Sequence, residues 1–248
     1  MIPVQDIVPR RTFPVVTVGL ILLNTVVFLF ELLLPPDTLE TLVFHLGIVP
    51  ARYTDPSWAA EHSLPFLPYL AFFTAMFLHG GWVHLIGNMW TLWIFGDNVE
   101  DRMGHVRFLI FYLLCGIVAS LVHIYVHPFS KTPVIGASGA ISGVLGAYYG
   151  LFPWARIIVM VPIFFFPFFF EVPAIFYIGF WYFMQLMSGT LSVVHGQVVG
   201  GVAWWAHIGG FVFGLLSHRL FCWGRKGCWR AEGRPWGVQW SLGEKFNR

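Results

Sequence analysis

Long, uninterrupted apolar runs restrict this chain more than any other feature. The first, from Pro14 to Leu34, is interrupted by a single charge, Glu31. Runs of this kind recur to residue 221, and charged residues make up only 10% of the 248. Soluble domains carry about 25%, so the deficit is too large for a water-facing surface and points to a bilayer. A span needs about 20 mostly apolar residues. In lipid only helices and closed barrels satisfy their own backbone. These runs are long and do not alternate, which selects helices. The expected fold is an all-α membrane protein, a polytopic bundle of six transmembrane helices with a long membrane-associated first loop.

The spans are read at about Pro14–Leu34, Gly81–Phe95, Arg107–His127, Ser138–Phe152, Val172–Met187 and Gly201–Phe221. Three parts follow: an N-terminus at 1–13, a six-helix domain at 14–221 and a basic tail at 222–248. Segment 35–78 holds Pro35, Pro36, Pro50, Pro56, Pro65 and Pro68, and its apolar second half is expected on or dipping into the membrane. Three prolines in 161–173 argue against a regular helix there, leaving a connection in or near the membrane. The first run is too long for a signal-peptide core and lacks a cleavage site. Cys115, Cys222 and Cys228 suggest no disulfide framework, and no internal repeat is evident.

Six spans put both termini on one side. That side collects twelve of the fourteen Lys and Arg residues, leaving Arg52 and Lys131 opposite. The positive-inside rule makes it the cytoplasmic side. A multi-pass plasma (inner) membrane protein follows, with both termini cytoplasmic. The tail, with Trp223, Trp229, Trp236 and Trp240 among its basic residues, reads as a headgroup anchor. The lipid bilayer is an expected partner and nucleic acid is not.

Ionisable groups inside a membrane are candidates for chemistry. Ser138 opens the fourth span within Gly136-Ala137-Ser138-Gly139. His207 lies six residues into the sixth, roughly 9 Å along a helix. His84 and Asn88 fall in the first two turns of the second span, on one face by their i,i+4 spacing. All four thus share one depth. A serine hydroxyl becomes a nucleophile when a base takes its proton, and His207 is available. Acyl transfer also needs donors for the oxyanion, which His84, Asn88 and the Ser138 N–H supply, while Gly136 permits close approach. Glu31, Asp97 and Glu171 lie at other depths or on other helices, so a Ser–His dyad is favoured over a triad.

"HGGWVHLIGN" at 79–88, "GASG" at 136–139 and "AHIGGFVFG" at 206–214 closely resemble the rhomboid intramembrane serine proteases. "FGDNVEDRMGH" at 95–105 looks like the family's link after the second span. The resemblance covers most of residues 12–221 and implies a six-helix bundle with Ser138 as nucleophile and His207 as base. His84, Asn88 and Gly136, with neighbouring Gly139, would form the oxyanion region. His79 matches a position just before the second helix, with a structural or water-binding role as open as a catalytic one. Gly210 and Gly214 match small residues that let the sixth helix approach the fourth. The resemblance also implies transmembrane protein substrates, a small residue before the cut, and access between the second and fifth helices. Phe180, Trp181 and Phe183 are then candidates for a gate, with lipid contact as the competing reading. In two places the chain departs from the family. Ser142 stands where some members place an aromatic ring against the histidine, and Arg52-Tyr53 is a weak echo of a Trp-Arg pair in the first loop.

Competing functions lack their residues. A metalloprotease needs something like H-E-x-x-H, which does not occur. His123 and His127 have metal-ligand spacing but no acidic or Cys neighbour in sequence, and no metal or other cofactor is expected. His45, His62 and His195 read as loop residues without chemistry. A transporter would need charges along its path. The best non-enzyme alternative is an inactive rhomboid-like protein that binds membrane proteins, although such a protein usually lacks the Ser or His that this chain keeps.

Overall fold

A computed structural model describes residues 1–62, 67–164, 166–194, 202–224 and 228. The elements run β1 (Ile2–Asp6), α1 (Val15–Glu31), α2 (Pro36–Leu46), α3 (Ala51–Thr54), α4 (Pro56–His62), α5 (Leu67–Thr74), α6 (Trp82–Met103), α7 (His105–Val126), α8 (Ser138–Leu151), β2 (Arg156–Ile163), β3 (Phe166–Pro173), α9 (Ala174–Val194) and α10 (Trp204–Cys222). Each expected span falls on a helix. Gly201, His195 and the basic tail, apart from residues 222–224 and 228, lie outside the described residues. Among those described, α7 is long and apolar enough to cross a membrane, and α1 is apolar but shorter. α6 carries Asp97, Glu100, Asp101 and Arg102, and α8 has only 14 residues.

The centre of the bundle is α8, whose residues Gly139 to Tyr148 are all buried. Glycines set its distance from α10. A Cβ on Gly210 would lie 2.1 Å from the Gly139 carbonyl oxygen, and one on Gly214 would lie 2.0 Å from the Gly143 carbonyl oxygen. On the other flank, a Cβ on Gly143 would meet the Cys115 sulfur of α7 at 2.3 Å. Backbone touches backbone, the packing that small residues allow when lipid supplies no hydrophobic drive between helices.

α6 extends eight residues beyond the expected end at Phe95. The polar run 97–103, read as a link, stays helical because its side chains find partners along α6's flank. Glu100 is fully buried and accepts the N–H groups of Val16 and Thr17 at 2.9 and 2.8 Å and the Thr17 hydroxyl at 2.7 Å. It thereby caps α1, whose own N-cap, Pro14, has no side chain to do so. His105 Nδ1 reaches the same carboxylate at 2.6 Å. Asp101 accepts the Thr12 N–H and hydroxyl. Gly104, at φ +82°, ends α6 and lets α7 start at His105.

The all-α expectation is corrected by a three-stranded antiparallel sheet in the order β1-β2-β3. Prolines that forbid a helix over 161–173 are tolerated in this hairpin, where Pro162 faces Pro167 near the tip. Alternate residues Ile157 and Val159 of β2 are buried, giving the strand one packed face. β1 is pinned to the helices by Asp6, which accepts the Asn98 amide at 2.6 Å and the Tyr148 hydroxyl at 2.7 Å. A second correction concerns cysteine: Cys222 and Cys228 form a disulfide, while Cys115 is free and buried.

In the first loop Arg52 is buried and donates to the carbonyls of Phe44, His45 and Gly47, satisfying the last turn of α2. Its guanidinium lies 5.1 Å from the centre of the Phe44 ring. The weak echo in the sequence is therefore a structural clasp with a Phe as the aromatic partner. Asp55 caps α4 through the Trp58 N–H at 3.1 Å, with Pro56 as the first helical residue. The Ser57 hydroxyl and this N–H hold its carboxyl below the usual range.

The seam between α8 and α10 generates a test. Gly214→Ala puts a methyl group into the Gly143 carbonyl, where no flexible side chain can yield. The expected cost is about 1–3 kcal/mol, read as a lowered thermal unfolding midpoint in detergent micelles. An unchanged midpoint would contradict the close contact.

Candidate active site

Ser138 is the first residue of α8, so its N–H and that of Gly139 have no intrahelical acceptor. The chain reaches this point through Gly136, at φ +120°, a region that side chains rarely adopt. Gly136 donates its N–H to the Ala75 carbonyl at 2.7 Å, tying the start of α8 to the end of the first loop. A Cβ there would fall 2.5 Å from His84 Nε2 and 3.7 Å from Asn88 Nδ2. Both donors therefore lie over the glycine two residues before the serine.

His207 comes from the first turn of α10. Its Nε2 lies 2.8 Å from Ser138 Oγ, and its Nδ1 lies 2.8 Å from Gln185 Oε1 on α9. Trp181 and Trp204 flank the imidazole at ring distances of 6.2 and 6.3 Å. Ser142, where the sequence suggests missing aromatic support, is buried and donates to the Ser138 carbonyl at 2.7 Å. Support for the ring comes instead from α9 and α10. Gln185 was passed over in the sequence. Its only signal is a buried amide in an otherwise apolar span, a kind of residue that is expensive in a membrane.

His79 packs behind this cluster. Its N–H donates to the Glu31 carboxylate at 3.2 Å, and its Nε2 accepts the Asn88 amide at 3.0 Å. Its Nδ1 then faces the Phe77 carbonyl at 3.3 Å. These contacts hold Asn88 in place. The Gly80 N–H points at His84 Nδ1 at 3.5 Å, which leaves the His84 Nε2 proton facing Gly136. Glu31, expected at the outer end of the first span and set aside because that helix carries no catalytic group, is thus two hydrogen bonds removed from Asn88.

Gly139, Gly210 and Gly214 lie on the seam below the pair. A Cβ on Gly139 would also approach Ala119 Cβ at 2.7 Å. The three gate candidates separate: Phe180 and Phe183 are 56% and 52% exposed, whereas Trp181 turns inward against His207 and Phe211. A cavity opens beside the pair, walled by Asn88, Thr91, Ile141 and Trp181. The His123 and His127 rings lie 5.2 Å apart, tilted by 48°, and no cluster of three or more potential metal ligands occurs among the described residues. His45 and His62 lie in the first loop, away from the pair.

Residues 68–224 match the family described as the rhomboid domain. Rhomboid protein 1, mitochondrial, of Saccharomyces cerevisiae is 31% identical over 150 residues, 56% of this chain and 38% of the yeast protein. Rhomboid protease GluP of Bacillus subtilis is 46% identical over 74 residues, 30% of this chain and 14% of GluP. Presenilin-associated rhomboid-like protein A, mitochondrial, of Danio rerio is 28% identical over 149 residues, covering 56% of this chain and 34% of that protein. The matched stretch is thus well under two thirds of each relative.

Gly136 yields the test of the site's construction. Gly136→Ala combines a disfavoured backbone with a methyl group inside the His84 ring. A loss of roughly 2–4 kcal/mol is expected, measured by thermal unfolding of the purified protein. Wild-type stability would show that His84 has room to move away.

Proposed function

The chain belongs to the rhomboid family, and on that premise we propose that it is an intramembrane serine endopeptidase. Its substrates are membrane proteins, cut within or beside a transmembrane helix. The observation that carries this reading is the 2.8 Å contact between Ser138 Oγ and His207 Nε2. Nucleophile and base come from different helices, 69 residues apart in sequence, yet meet at hydrogen-bond distance. An inactive binding protein would have no need of this contact.

In the proposed reaction His207 Nε2 takes the hydroxyl proton as Ser138 Oγ attacks the scissile carbonyl carbon. Negative charge moves to the carbonyl oxygen. His84 Nε2–H, the second Asn88 amide hydrogen and the free Ser138 N–H are the donors for it. The protonated His207 then delivers its proton to the leaving amine, and an acyl-Ser138 ester remains. Water attacks that ester by the same route in reverse, releasing the acid and restoring both groups. No metal ligand or cofactor takes part.

A helix hides its carbonyls in its own hydrogen bonds, so a substrate must unwind locally before attack. Weak helix formers near the scissile bond lower that cost. We assign six spans, both termini in the cytoplasm and an active site facing the outer side of the plasma membrane, on the charge distribution. Access is assigned between α6 and α9, where Phe180 and Phe183 are exposed, as a gate or a lipid-facing surface would be, and Trp181 walls the cavity. Segregated charge and the apolar helix faces support these assignments.

Ser138→Ala and His207→Ala should each lower cleavage of a test transmembrane substrate in proteoliposomes by about 10³-fold or more. Both variants should unfold near the wild-type temperature. Wild-type cleavage by either one would sink the dyad. His84→Ala and Asn88→Ala should each lower kcat by about 10²-fold with a smaller change in KM. Unfolding is measured alongside, because Asn88 also bonds His79. Full turnover in both variants would remove these side chains from the oxyanion site.

A further inference from the structure

We propose that Gln185 is the positioning residue of this site, holding His207 in the tautomer that can accept the Ser138 proton. The inference rests on the serine-protease reading and adds a third helix, α9, to the catalytic centre. Gln185 is buried, and its Oε1 lies 2.8 Å from His207 Nδ1. An amide oxygen only accepts, so Nδ1 carries the proton in this contact. A neutral imidazole has one N–H, so Nε2 faces Ser138 Oγ with its lone pair. In the opposite tautomer Nε2 would aim a proton at the serine, and no base would be present. Soluble triads use a carboxylate for this task.

An amide suits this location better than a carboxylate. An ionised acid away from water is costly unless paired, and no ion pair to His207 occurs among the described residues. The titratable groups facing the ring are Ser138 from α8, His84 from α6 and His123 from α7. An uncharged acceptor orients the ring without placing a charge among them. When His207 becomes cationic in the reaction, the Nδ1–H bond to Oε1 strengthens, since charge-assisted bonds are the stronger kind.

The placement of Gln185 is built into α9. Trp181, Gln185 and Gly189 are spaced i, i+4 and i+8, on one face. Trp181 lies beside the His207 ring. The Gly189 carbonyl accepts the Trp205 indole N–H at 3.0 Å, and a Cβ on Gly189 would meet Ile208 at 3.1 Å. The stripe therefore docks on the first turns of α10 at three successive levels, with Gln185 in the middle.

The test uses the full chain, comparing wild type with Gln185→Leu and Gln185→Glu. Labelling of Ser138 by a fluorophosphonate and cleavage of a transmembrane substrate are followed across roughly pH 5 to 9. Gln185→Leu should slow both by about 10-fold or more, with KM within about twofold. Gln185→Glu restores an acceptor and should recover most of the rate at high pH. Its carboxylate favours the imidazolium, so its acidic limb should lie about one pH unit or more above wild type. A packing role alone would be met by Leu, and Glu would then recover no rate that Leu had lost. Wild-type rates in Gln185→Leu, or an unmoved limb in Gln185→Glu, would overturn the assignment. If Gln185→Leu unfolds, the Gln185→Glu limb alone decides. Folded wild type that is not labelled at Ser138 would instead remove the serine mechanism, and this assignment with it.

Discussion

The contact between the backbones of α8 and α10 is the constraint on which the rest of this structure depends. Gly139 and Gly143 offer carbonyls to Gly210 and Gly214 with no space for a single methyl group. Ser138 sits at the top of that seam on one helix and His207 on the other. A hydrogen bond of 2.8 Å between short side chains requires helix axes this close. Any larger residue on the seam would widen the gap all along it, because α8 is also braced by α7 through Gly143 and Cys115. The glycines therefore set both the packing and the distance over which a proton would move.

Polar groups stabilise both ends of a bundle whose middle is almost wholly apolar. At one end Glu100, Asp6, Asn98 and Tyr148 close buried hydrogen bonds that tie β1 and the start of α1 to α6 and α8. At the other, Glu31, His79 and Asn88 form a chain leading to the candidate site. A buried polar group costs free energy unless it is paired. Glu100, Asp6 and Glu31 find partners in distant stretches of sequence, so those bonds also fix how two elements lie against each other. The Asn88 bond to His79 is local, and it fixes the amide that faces Gly136.

Much of this was legible in the sequence. Six helices fall where the apolar runs are, and Ser138, His207, His84, Asn88 and Gly136 converge as their common depth implies. Periodicity and depth arguments reach that far because each motif is local and each helix is long. They fail where partners are remote. Residues 97–103 look like a loop until Glu100 is seen capping α1. β2 pairs with β1 across about 150 residues, which no local pattern announces. Arg52 matters through carbonyls of the preceding helix and not through a Trp neighbour. Gln185 is a single polar residue in an apolar run, and its meaning depends on which helix it faces.

α9 combines two surfaces that would usually conflict. Phe180 and Phe183 project outward, while Trp181, Gln185 and Gly189 fit against α10. Under the proposed mechanism, substrate reaches the cavity beside this helix, and Trp181 belongs to both the cavity wall and the surroundings of His207. An acceptor carried on α8 or α10 would stay fixed to the glycine seam however the access side moved. Carried on α9, it ties His207 Nδ1 to the same helix that walls the cavity. Under the proposed mechanism one element thus both borders the path of a bulky helix and orients the base that cuts it.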